Sequence, residues 1–116
     1  MSTTTPTDTW LETHRSLSAE ADAFRDSQAV AFGLLAAYDE LSPSDRDEIH
    51  QLLSKWLVSD DNKLRYDAAF LVNERKIKEL APAIRASIER AKPLSGPESK
   101  FEIEKLVRIL GDIDVE

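Results

Sequence analysis

Ile49, Leu52, Leu53, Trp56 and Leu57 stand at i, i+3, i+4, i+7 and i+8, the spacing that places five apolar side chains on one stripe of an α-helix. No stretch of the chain alternates polar and apolar residues as a half-buried strand does. Apolar residues recur at helical spacing elsewhere too: Ala21, Phe24, Val30, Phe32, Leu34, Leu35 and Tyr38, then Leu64, Ala68, Ala69, Leu71 and Val72. Ile77, Leu80, Ile84 and Ile88 follow, and then Phe101, Ile103, Leu106, Val107, Ile109 and Leu110. Ala, Leu, Glu, Lys and Arg dominate these stretches, and only three Gly and five Pro interrupt them, so the expected fold class is all-α.

Punctuation divides the stripes into helices. Residues 1–7 read as a flexible N-terminal tail and residues 8–116 as a single all-α domain, since a chain of 116 residues supports one core. Thr7 or Asp8 would cap a first helix through Trp10, Leu11 and Leu17, with residues 16–18 a point of interruption and a further break near Asp26-Ser27. Ser42 or Ser44 would open the Ile49 helix, and Asp60 and Asp61 suit the positive N-terminal end of the next. Pro82 requires either a kink or a late start in a helix placed at 76–91. Two prolines and a glycine at 93–97 end that helix, and Gly111 suits the C-cap of the last one.

The helical segments repeat. A shift of 37 pairs Ala31 with Ala68, Phe32 with Ala69, Leu34 with Leu71 and Leu35 with Val72, and a shift of 38 continues these to Leu106, Val107, Ile109 and Leu110. Two further helices, at about 45–58 and 76–91, fall between the matched ones, giving an A-B-A-B-A order with a period near 40 residues. Residues 60–72, D-D-N-K-L-R-Y-D-A-A-F-L-V, resemble the first helix of a HEAT-like repeat through Asp61, Leu64, Arg65, Ala68 and Ala69. Leu80-Ala81-Pro82-Ala83-Ile84 resembles the proline-bearing second helix. The resemblance implies stacked antiparallel hairpins forming an α-α superhelix of about two and a half repeats, with a plain helical bundle as the alternative. In that family the second helices line a concave face, which would present Glu48, Gln51 and Lys55, with Lys78, Arg85 and Glu89, to a partner.

Signals for chemistry are sparse. With no Cys, the chain has neither disulfides nor a thiolate nucleophile or metal ligand. His14 and His50 are the only imidazoles, and an Asp47/His50 pair at i, i+3 on a solvated helix surface makes no metal site. Gly33, Gly96 and Gly111 are too far apart for a phosphate loop. Carboxylate pairs fall at helix ends or on polar faces, where capping and solubility account for them. The expectation is therefore a non-enzymatic protein with no cofactor and no metal. A helical ligand-binding or enzymatic domain would need a site assembled from scattered groups such as Asp22, Arg65 and Asp67. Trp56 continues the core stripe, and Trp10 reads as a cap docked over the first hairpin.

The net charge is −7, with residues 1–59 at −6 and residues 60–116 at −1. Acidity of that order disfavours nucleic acid and anionic membranes, and no apolar run approaches the length of a membrane span. Lacking a secretion signal, the chain reads as cytoplasmic. The expected function is protein binding through an acidic helical-repeat surface. In size and charge the chain resembles the immunity proteins, antitoxins that neutralise basic bacterial toxins. Adaptor or regulatory binding, and self-assembly into a homo-oligomer through the 103–110 face, are the alternatives.

Overall fold

The computed structural model describes residues 5–24, 28–94 and 96–113, with the side chains of 21–24 and 28 outside that description. Among the described residues the only regular elements are helices: α1 (Pro6–Phe24), α2 (Gln28–Asp39), α3 (Pro43–Leu57), α4 (Asn62–Arg75), a 3-10 turn (Lys78–Leu80), α5 (Ala81–Ala91) and α6 (Pro97–Ile113). The all-α expectation therefore holds. Residues 1–4 of the expected tail, the inward placement of Ala21 and Phe24, and the break near Asp26-Ser27 lie outside the described residues.

Local chemistry explains the starts of α1, α3 and α4. At α1 the Thr5 hydroxyl accepts from the Asp8 amide at 3.0 Å while the Asp8 carboxylate accepts from the Thr5 amide at 3.4 Å, and Pro6 occupies the first turn. Thr5 thus takes the capping role expected of Thr7 or Asp8. In addition, Thr7 donates from its amide (3.0 Å) and hydroxyl (2.6 Å) to the Glu48 carboxylate of α3, which sets a negative charge at the N-terminal end of α1. Ser42 rather than Ser44 caps α3 by accepting from the Asp45 amide at 3.2 Å. Asp61 caps α4, its side chain accepting from the Lys63 amide at 2.8 Å.

Two boundaries differ from the sequence reading, and at Pro82 the late start, one of its two alternatives, is the outcome. Helix α1 runs unbroken through residues 16–18, because serines in a helix interior cost only fractions of a kcal/mol and long-range packing outweighs them. Pro82 produces no kink: α5 begins at Ala81 after the 3-10 turn, and the proline sits in the first turn, where its missing amide has no partner to lose. Gly111 lies inside α6, which continues to Ile113.

The chain divides into two compact units, residues 1–52 and 53–116, with the boundary inside α3. In the first, α1 packs against α2. Contact there is close enough that a Cβ on Gly33 would fall 2.6 Å from both terminal carbons of Leu17. Trp10, Ala31, Leu34, Tyr38 and Ile49 are buried in this unit. In the second, α6 packs against both α5 and α4, and Leu53, Trp56, Leu57, Leu71, Val72 and Ile84 are among the buried residues.

At the positions that the shifts of 37 and 38 match, burial agrees only in part. Ala31, Ala68 and Leu106 are all buried, as are Leu34, Leu71 and Ile109. The other two sets do not agree throughout: Ala69 is buried, whereas Phe32 and Val107 are 57% and 53% exposed, and Val72 is buried, whereas Leu35 and Leu110 are half-buried. A stripe fixes which residues share a helical face, but the width of that face covered by neighbours depends on packing.

Candidate functional site

Helix α3 carries Glu48, Gln51 and Lys55 along one face, at i, i+3 and i+7. Gln51 and Lys55 are exposed, while Glu48 is half-buried and occupied with the start of α1. Arg85 and Glu89 lie at i, i+4 on the exposed side of α5, and Glu89 pairs with Lys92 at 2.6 Å. Lys78 is exposed but belongs to the 3-10 turn, off the helix that was expected to present it, because the chain enters that helix only at Ala81. Of the six candidate partner residues, Glu48 therefore has a structural duty, and five remain at the surface.

His50 is not a solvated surface residue. It is half-buried, with Nε2 2.8 Å from the Tyr38 hydroxyl and its ring stacked on the tyrosine at a centroid distance of 5.8 Å. The Arg46 guanidinium lies 4.9 Å from the centroid of the same ring. Among the described residues no group of three or more His, Asp or Glu gathers as a metal ligand set. No helix among them is long and apolar enough to cross a membrane.

A dense polar arrangement lies within residues 53–116 and centres on Arg65 of α4. This buried guanidinium donates from Nε to Glu102 of α6 at 2.8 Å and from NH1 to the Ser59 carbonyl at 2.7 Å, and NH2 donates to the Asn62 side chain. Arg90 of α5 approaches the other Glu102 oxygen at 3.7 Å, so one carboxylate joins three helices. Sequence reasoning singled out Arg65 with Asp22 and Asp67. The structure gives Arg65 different partners; Asp67 is buried elsewhere on α4 and the Asp22 side chain is not described.

Beside this network a half-open groove of about 350 Å³ runs between α4 and α6. Tyr66 and Phe101 wall it, 41% and 72% exposed, and Ala69 and Leu106 line it deeper down. Lys105 extends over the Tyr66 ring, its Nζ 4.5 Å from the centroid. Burial pushes the Lys105 ammonium below the ordinary lysine pKa, against the raising influence of Glu102. Ser87 of α5 also lines the groove; it is fully buried and its hydroxyl has no hydrogen-bond partner. The sequence placed Phe101 in the core stripe and gave Ser87 no role. Burial of a lone serine on a helix carries no sequence signal.

No family model matches the chain, and neither does any curated protein or solved structure.

Proposed function

We propose that this chain is a non-enzymatic protein-binding domain whose first unit receives a basic partner protein. The distribution of charge carries the reading. Residues 1–52 hold ten Asp/Glu against three Lys/Arg, a net of −7, whereas residues 53–116 hold twelve of each. The whole net charge of the molecule thus falls on one unit, with Asp8, Glu12, Glu20, Asp39, Glu40 and Asp47 exposed. A predominantly acidic surface of this kind steers an oppositely charged protein into encounter and repels phosphate backbones. A basic bacterial toxin, held so that its own substrate cannot approach, is a partner of this chemistry. The packing of α6 on both α4 and α5 supports a HEAT-like stacking of the second unit, in which successive first helices lie side by side.

The test is affinity capture from the producing organism at low and high salt, run beside the triple variant Glu12→Lys, Glu40→Lys, Asp47→Lys. These changes take the formal charge from −7 to −1 at exposed positions. A stoichiometric basic protein, released by salt and not captured by the variant, is the expected result. Capture of nothing, or capture indifferent to both salt and charge, overturns the proposal.

A further inference from the structure

The α4–α6 groove lies within residues 53–116, and its composition points to a ligand of another kind than a basic protein. Its volume of about 350 Å³ falls inside the roughly 300–1,000 Å³ range of small-molecule sites. Two aromatic rings, Tyr66 and Phe101, stand at its walls with much of their surface in water, an arrangement that a flat apolar ligand between them would relieve. The charges around it cancel. Arg65 and Lys105 face Glu98 and Glu102, and Arg65 is bonded to Glu102, so the lining calls for no ionic ligand. Ser87 adds the single unmet polar demand: a fully buried hydroxyl with no hydrogen-bond partner, where such groups are normally satisfied.

We propose that this groove binds an uncharged aromatic small molecule of one or two fused rings, bearing a hydroxyl, carbonyl or N–H group that pairs with the Ser87 hydroxyl. The Phe101 ring flanks the ligand together with the edge of Tyr66, whose ring also meets Phe70 and the Lys105 ammonium; Leu106 and Ala69 exclude water beneath it, and Ser87 fixes its orientation. Lys105, already over Tyr66, covers the outer edge.

Indole is a suitable probe, with toluene as a ring that cannot hydrogen-bond, each titrated into the full-length ¹⁵N-labelled chain and followed by amide chemical shifts. Indole should give saturable shifts centred on Tyr66, Ser87, Phe101 and Lys105. Phe101→Ala removes a mostly exposed ring, so the fold should persist while affinity for both probes falls by about tenfold. Ser87→Ala keeps the helix and the volume; it should weaken indole by about three- to tenfold and leave toluene unchanged. Thermal melts of both variants establish that they are folded. Absence of saturable shifts with indole, or shifts that survive Phe101→Ala undiminished, overturns the site. An indole affinity indifferent to Ser87→Ala overturns the pairing with its hydroxyl.

Discussion

The Tyr38 hydroxyl, near the C-terminal end of α2, lies 2.8 Å from Nε2 of His50 on α3, and the two rings stack at an interplanar angle of 24°. One contact thereby joins a hydrogen bond to an aromatic overlap across two helices of the first unit. Tyr38→Phe keeps the overlap and removes the bond, whereas His50→Leu removes both. In a double-mutant cycle followed by urea unfolding, the coupling energy between Tyr38→Phe and His50→Leu should be about 0.5–1.5 kcal/mol. A coupling indistinguishable from zero would mean that the bond contributes nothing to stability.

Arg65 is expected to resist conservative replacement. Its fork reaches Glu102, Ser59 and Asn62 at once, a geometry that a lysine ammonium cannot reproduce. Arg65→Lys should therefore destabilise by about 1–3 kcal/mol, with the Ser59 carbonyl and part of Glu102 left unpaired. Equilibrium denaturation measures this directly, and a change below a few tenths would contradict the buried network.

At Gly33 two effects oppose each other. Alanine there gains about 1 kcal/mol of helix propensity, but its Cβ would meet the Leu17 terminal carbons at 2.6 Å. Gly33→Ala should lower stability in the native sequence by about 1 kcal/mol and raise it when Leu17→Ala is also present. The sign reversal, read by thermal melting of the two pairs, reports the α1–α2 approach.

Lys76 closes α4 in the left-handed region, at φ 49° and ψ 56°. Its amide and that of Ile77 both donate to the Val72 carbonyl, so the conformation is fixed by the helix end. Its ion pair with Asp112, 3.7 Å long with both side chains more than half exposed, contributes little. Lys76→Gly should consequently stabilise the protein by about 0.5–1 kcal/mol, as measured by the midpoint of urea unfolding.

Lys105 supplies a pH dependence. Burial lowers its pKa in the folded protein below the 10.5 of the unfolded chain, so across that interval the unfolded state binds more protons and stability rises with pH. Lys105→Met lacks this titration. The stability of Lys105→Met minus that of the native protein should fall as pH increases toward 10.5, and a constant difference would exclude the desolvation of Lys105.

Much of this architecture was legible in the residues. Helical spacing set the all-α class, and Ser42 and Asp61 cap their helices by side-chain chemistry confined to one turn. The order of helices, and the paired burial of Ala31 with Ala68 and Leu34 with Leu71, follow from the same local periodicity. Information of that kind spans three or four residues, and the sequence states it directly.

Tertiary structure alone decided the rest. Arg65 meets Glu102 across 37 positions and Thr7 meets Glu48 across 41, partnerships that no local pattern specifies. Phe101 and Val107 share the apolar composition of the α6 stripe but not its burial, because packing against α4 and α5 covers only part of the helix. Ser87 acquired its buried, unpartnered hydroxyl in the same way. The sequence by itself determined which segments become helices, since that depends on backbone propensity and caps, but not every boundary: α1 runs on through residues 16–18 and α6 runs past Gly111 to Ile113. Which faces are covered, which charges meet and where a groove remains were decided by helices brought together from distant parts of the chain, whose free energy resides in contacts the linear order does not contain.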